Sequence, residues 1–203
     1  MTDGLGKFES YFNYLKTISL RGRVYKRIFS SPILFLYARR FGSRIIEVGS
    51  GTGSGVLGAF PSRVVGIDIN PFAVEYTKSI GLRASVINHD GSFPVADGAF
   101  DACILDNVLE HIENPAKVLD ECYRVTGPEA GLVIAVPGTR GFKWDSDHKV
   151  LYGENELKLL DDRWSLIRLF SIPLFLRSER LSKAIKQYCL VAVFKKNTEN
   201  RSN

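Results

Sequence analysis

The sequence predicts an α/β fold in which seven strands form a mostly parallel sheet with helices on both faces. Three observations carry that expectation. From Ile45 onward, short β-branched apolar runs alternate with helical patterns, as in strand–helix–strand units. The first run, Arg44-Ile45-Ile46-Glu47-Val48, feeds straight into Gly49-Ser50-Gly51-Thr52-Gly53. Asn70-Pro71 and Asn114-Pro115 then mark helix starts, each pairing a capping side chain with a proline that needs no hydrogen-bond partner at the first helical position.

Before the first strand, residues 7–40 are rich in aromatics and bases. Phe8 with Phe12 and Tyr11 with Leu15 are i, i+4 pairs, so a first helix presents one apolar face. A second helix is expected over Val24–Phe41, broken or restarted at Pro32. Because both precede the sheet, residues 1–43 are expected as a helical cap on a core of residues 44–196. Residues 197–203 are expected as a disordered tail, the whole being a single domain.

Within the core, Arg63–Asp68 reads as the second strand, and Pro71–Ile80 as the helix after it. Ala84–Ile87 is a third strand, followed by the turn Asn88-His89-Asp90-Gly91. Ala102–Leu105 is a fourth, and a helix runs from Pro115 to about Val125. Gly131–Val136 is a fifth, stopped by Pro137-Gly138. A short helix over Glu154–Leu160 precedes Leu166–Ile172 and Cys189–Phe194, the sixth and seventh strands, with a basic helical insert between them.

Alternating glycines after the first strand remove Cβ atoms and permit positive φ, so the backbone there passes close to a ligand. A helix starting just beyond adds free N–H groups to the same space. The dinucleotide fingerprint occurs as Gly53-Ser54-Gly55-Val56-Leu57-Gly58. It begins too late after the strand, and counted from Gly49 the position it demands is Ser54. A phosphate loop with Gly-Lys-Ser/Thr is absent. What remains is acid-x-Gly-x-Gly-x-Gly, with a second acid, Asp68, about 20 residues on, where a ribose diol is usually held.

This pattern resembles motif I of the class I methyltransferases that use S-adenosylmethionine. Asp97-Gly98-Ala99-Phe100-Asp101 and Asn107-Val108-Leu109-Glu110-His111-Ile112 resemble the phrase shared by small-molecule members typified by ubiquinone and menaquinone biosynthesis enzymes. The resemblance covers roughly residues 42–138 and, more loosely, the sixth and seventh strands. It implies a Rossmann-like seven-stranded sheet whose last strand runs antiparallel. It also implies S-adenosylmethionine as cofactor, S-adenosylhomocysteine as product, and a cap that closes over the cofactor; in this chain Tyr11 or Tyr14 is expected near its methionine end. Glu47 and the loop Gly49, Ser50, Gly51 and Gly53 would hold the methionine portion. Asp68, with Ile69 beside it, would bind the ribose, Asp90 with Gly91 and Ser92 the adenine, and Asn107 would lie near the sulfonium. Glu47 stands where Asp is commoner, and Gly55 and Gly58 make the following helix start unusually loose.

Methyl transfer from a sulfonium needs mainly alignment, with a base only where the acceptor must lose a proton. His111 and His148 are the candidate bases, with Glu110 and Asp106 also weighed; His89 is read as structural. The acid-rich middle of the chain is expected to raise the imidazole pKa, more at His148, beside Asp145 and Asp147, than at His111. Asp145, Asp147 and His148 have weak metal-ligand spacing, and no metal is assigned.

The favoured acceptor is an O or N atom of a small molecule, lipid or saccharide. The Asn/Asp-Pro-Pro-Tyr/Phe segment of amino-methylating nucleic-acid enzymes is absent, as is a cysteine placed for pyrimidine C5 chemistry. Residues 1–44 and 163–203 each carry nine Lys/Arg against two acids, and residues 45–162 nine against eighteen. Basic ends suit an anionic partner such as RNA, a phosphate ester or a membrane surface, or else they pair with the acidic body. A cofactor-binding partner subunit without turnover is a further alternative. Cys103, Cys122 and Cys189 lack C-x-x-C spacing, Met1-Thr2-Asp3-Gly4 does not open a signal peptide, and the apolar runs are too short to span a bilayer. A cytoplasmic protein is expected.

Overall fold

The computed structural model describes residues 6, 8–13 and 24–197. Seven strands form one sheet: β1 (Ile45–Val48), β2 (Val64–Asp68), β3 (Ala84–Val86), β4 (Phe100–Asp106), β5 (Thr126–Pro137), β6 (Trp164–Ile172) and β7 (Cys189–Lys196). Their order is β3-β2-β1-β4-β5-β7-β6. The first five in that row are mutually parallel, and β7 runs antiparallel to both neighbours. The expected seven-stranded sheet with an antiparallel last strand is therefore present.

The alternation of side chains along each strand feeds two apolar layers. On one face, Ile46, Val48, Cys103, Leu105, Leu132 and Ile134 pack with Leu119, Cys122 and Val125 of α4 (Ala116–Val125). On the other, Ile45, Val64, Ile104 and Val133 meet α1 (Ser31–Arg39), α2 (Val56–Ala59) and α3 (Pro71–Ser79). Asn70 caps α3 as expected, its Oδ1 accepting from the Phe72 and Ala73 N–H groups. The short helices α5 (Thr139–Phe142), α6 (Glu154–Lys158) and α7 (Glu179–Ala184) follow β5, precede β6 and precede β7, respectively.

One expectation is revised. The second N-terminal helix is not a cap, since Leu34 and Ala38 are fully buried in the lower layer. Its apolar stripe needed a partner, and the sheet face supplied one. Pro32 restarts the helix rather than ending it. A π turn over Lys26–Ser30, with the Ser31 N–H on Lys26 O, precedes it, and this wider turn makes room for a ring that would otherwise meet the carbonyl four residues back. Of the first helix, Gly6 and residues 8–13 are described, and they are helical. The expected tail falls mostly outside the described residues, but Asn197 hydrogen-bonds Arg163 O, Asp162 O and Ser165.

Bases of the two ends pair with acids of the middle: Lys26 with Asp106, Arg44 with Asp101, Arg163 with Asp120 and Asp161, Arg177 with Glu154, and Lys195 with Glu129. Cys103 and Cys122 are buried, Cys189 is half-buried, and all three are free thiols. Among the described residues no helix is long and apolar enough to cross a membrane.

The sheet order reverses between β1 and β4, where Val48 is level with Leu105. A crevice opens beyond such a point, at the carboxyl ends of the strands. Below it, Phe41 closes α1 onto β5, and a Cβ on Gly131 would stand 2.1 Å from Phe41 Cδ2. Gly131→Ala is therefore expected to destabilise the fold by about 1–3 kcal/mol. An unchanged urea midpoint would show that the ring moves aside freely.

Candidate active site

The loop after β1 turns through Gly49, Gly51 and Gly53 at φ of 72°, 52° and 71°. Those values exclude most side chains and leave backbone lining the crevice. Gly49 and Ser50 donate to Ile67 O, tying the loop to β2. Asp68, at the end of β2, accepts from Gly51 N at 2.7 Å through Oδ2 and from Asn70 N at 2.8 Å through Oδ1. Burial raises its pKa, against the lowering effect of those backbone donors. Ile69, the next residue, is 59% exposed. A large apolar side chain left open beside a buried carboxylate suits a ligand with a flat apolar part and a polar diol.

Glu47 has a defined employment. Its oxygens accept from Val56 N at 3.1 Å and Leu57 N at 2.7 Å, the first free donors of α2. The two glycines expected to loosen this start instead allow close contact. A Cβ on Gly55 would stand 2.4 Å from Glu47 Oε1, and one on Gly58 would stand 2.0 Å from Gly53 O. The longer Glu reaches the helix because Gly55 leaves it room.

Asp90, Gly91 and Ser92 form a turn after β3. Asp90 Oδ1 accepts from the Ser92 N–H and hydroxyl, which lower its pKa, and Gly91 sits at φ 83°. Asn107, just past β4, takes φ 58°. Its N–H donates to Ala135 O and its side chain to Asp106 Oδ1. Lys26 Nζ lies 3.2 Å from Asp106 Oδ2. Sequence reasoning missed Lys26, since nothing near it in the chain marks a partner at the end of β4.

On the other side of the crevice, a 3₁₀ turn over Leu109–His111 follows β4. Lys149 N and Val150 N both donate to Glu110 O, at 2.7 and 3.1 Å, folding the loop after α5 back against that turn. The two candidate bases consequently meet, with ring centroids of His111 and His148 4.7 Å apart. His111 Nδ1 faces Asp147 Oδ2 at 3.2 Å, and His148 Nδ1 faces Phe142 O at 2.8 Å. Glu110 lies beneath them, fully buried, and burial pushes its pKa up to about 8. The expected rise at the imidazoles is reversed at His111. Burial and the neighbouring His148 ring lower its pKa, outweighing Asp147 and Asp145. The convergent group among the described residues is Glu110, His111 and His148, rather than Asp145, Asp147 and His148.

Residues 8–13 reach across this crevice. Asn70 Nδ2 donates to Phe8 O at 2.8 Å, Phe12 packs on Tyr76, and the Tyr11 ring meets His111 edge-on. Tyr14 lies outside the described residues.

Residues 46–134 match a family model described as a methyltransferase domain. That stretch resembles the class I S-adenosylmethionine-dependent methyltransferases. The cofactor of this class is S-adenosylmethionine, and the glycine backbone cradle beside Asp68 and Ile69 fits it. The chain is 32% identical over 97 residues to an uncharacterized methyltransferase of Mycobacterium sp. (strain KMS), covering 46% of this chain and 38% of that one. It is 29% identical over 102 residues to a ubiquinone biosynthesis O-methyltransferase of Xanthomonas oryzae pv. oryzae (strain PXO99A), covering 46% and 43%. The aligned stretches thus span about two fifths of the length of these curated relatives. A crystal structure of a SAM-dependent methyltransferase from Aquifex aeolicus shares the fold, with a TM-score of 0.64, 20% identity and coverage of 93% and 98%.

Glu47 links the protein's stability to pH. Burial first, then Asp106, push its pKa up from 4.5 to about 7, against the N–H groups of Leu57 and Val56. Between those values the folded state binds the extra proton, so raising pH favours unfolding. The cofactor-free protein should lose roughly 3 kcal/mol from this group as pH climbs from about 4.5 to about 7, at about 1.4 kcal/mol per unit. Urea midpoints of Glu47→Gln should lack that component. Parallel curves for the two proteins would show that Glu47 stays charged throughout.

Proposed function

We propose that this chain moves a methyl group from S-adenosylmethionine to an O or N atom of a small molecule, lipid or saccharide. The observation that carries the reading is the two-sided crevice. A cofactor cradle of Gly49, Gly51, Gly53 and Asp68 lies on one side, and Glu110, His111 and His148 lie on the other.

The bound cofactor supplies an electrophilic methyl on a sulfonium that leaves as a neutral thioether. Asp68 accepts from the ribose hydroxyls, each of its oxygens keeping a lone pair beyond its backbone donor. Ile69 packs on the adenosine. Asp90, Gly91 and Ser92 border the adenine, and Asn107 stands near the sulfur. Ser50 and the loop glycines receive the methionine portion, and Glu47 serves it indirectly by holding the loop and α2 together. His111 and His148 lie where the acceptor enters, placed to receive or orient its proton. Alignment of acceptor, methyl and sulfur supplies most of the rate, of order 7–11 kcal/mol. Residues 8–13 act as the lid, with Tyr11 over the acceptor side. The self-paired basic ends and the O-methyltransferase relative support a small acceptor over RNA. Free thiols support a cytoplasmic location.

Calorimetry should find S-adenosylhomocysteine binding without NAD binding. Asp68→Ala should weaken that affinity roughly 10- to 150-fold, for the loss of about 1.5–3 kcal/mol in charged hydrogen bonds. Preference for NAD, or an unchanged affinity, would overturn the cofactor assignment. Labelled S-adenosylmethionine incubated with fractionated cell extract identifies the acceptor. Uptake confined to RNA would overturn the small-molecule reading. With the acceptor in hand, Tyr11→Ala should lower turnover while leaving the urea midpoint near wild type. Unchanged turnover would reduce residues 8–13 to packing.

A further inference from the structure

We propose that Glu110, His111 and His148 form a binding site for one divalent cation of the zinc class, on the acceptor side of the crevice. One nitrogen of each imidazole and one Glu110 oxygen lie within 4.8 Å of one another. Glu110 is fully buried, and among the described residues neither of its carboxylate oxygens has a hydrogen-bond partner. A buried carboxylate left without donors is costly unless something cationic completes it. His148 Nε2 stands 3.8 Å from Glu110 Oε1. That is too long for a hydrogen bond. It is near the ~3.4 Å that separates two ligands on a tetrahedral ion with bonds of about 2.1 Å, so a small inward shift closes the site.

The surroundings of the imidazoles fit the same assignment. Each ring is held through Nδ1, His111 by the Asp147 carboxylate and His148 by the Phe142 carbonyl, so Nε2 is the nitrogen each can offer an ion. Metal-bound histidines are oriented in this way, by a carboxylate or a carbonyl on the second nitrogen. Two imidazoles and one carboxylate select borderline cations over magnesium, which prefers all-oxygen sites. Three protein ligands also leave a coordination position open toward the crevice.

The consequence for chemistry rests on the methyl-transfer reading; the binding site does not. An acceptor hydroxyl at the open position becomes more acidic. With the ion bound, both imidazoles are ligands and not bases, so the proton passes to water, an oxygen lone pair forms the new O–CH₃ bond, and the C–S pair returns to sulfur. Charge balances without any oxidant or further reactant.

The test uses the full chain, stripped with chelator and titrated with zinc chloride, cobalt chloride and magnesium chloride. Calorimetry should show one zinc or cobalt ion per chain, with magnesium far weaker. Cobalt should show the visible absorption of a low-coordinate nitrogen–oxygen site. Glu110→Gln and His148→Ala should each weaken zinc binding by more than the ~10–100-fold expected for an outer partner, and Asp147→Asn by an amount within that range. Should one ligand variant fail to fold, the other and the exposed Asp147→Asn still decide. Absence of stoichiometric binding, or wild-type affinity in the folded ligand variants, would overturn the site. S-adenosylhomocysteine affinity, measured on the same stripped samples, should not change. Stoichiometric, variant-sensitive zinc binding in a protein that methylates nothing would leave the site standing and remove the functional reading instead.

Discussion

Two backbone N–H groups at the start of α2 end on one buried carboxylate, and the crevice is shaped around that contact. Glu47 belongs to the central strand β1, while Val56 and Leu57 lie beyond the glycine loop. Joining them fixes both ends of the loop. The intervening backbone must then turn tightly, which it does at three positive-φ glycines. The second tie is Asp68, which draws Gly51 toward β2. A cradle held at both ends and its middle is preorganised, so little ordering entropy remains to be lost on binding.

Across the crevice the chain solves a different problem. The 3₁₀ turn after β4 and the loop after α5 are distant in sequence, and Glu110 joins them twice. Its backbone carbonyl takes the Lys149 and Val150 N–H groups, while its side chain stays buried under two imidazoles. Gly49 brings the two sides together, since a Cβ there would stand 2.5 Å from Val108 Cγ2. The glycine loop and the turn after β4 are therefore in contact, and a shift in one moves the other. This suits a reaction governed by in-line placement, where errors near 1 Å are costly.

Much of this was legible in the chain, for local reasons. Strands β1 to β5, the Asn70 cap and the Asp68 position follow from period, capping chemistry and spacing, all short-range signals. The antiparallel β7 followed only from family resemblance, since sequence period does not reveal strand direction. Long-range partners were not readable. Lys26 meets Asp106, and His111 meets Asp147, only because the sheet brings their elements together. Gly55 and Gly58 looked like looseness because their purpose, close approach to Glu47 and Gly53, exists only in three dimensions. The helix Ser31–Arg39 was misplaced for a related reason: an apolar stripe shows that a face is buried, but not against what.

The central claim is that one crevice holds the cofactor on the Asp68 side and presents the transferred methyl to the Glu110–His111–His148 side. A crystal structure with bound S-adenosylhomocysteine tests it most directly. The account predicts ribose hydroxyls on the Asp68 carboxylate and a thioether sulfur facing the two imidazoles across the mouth of β4. A ribose held elsewhere, or a sulfur turned away from His111 and His148, would contradict it.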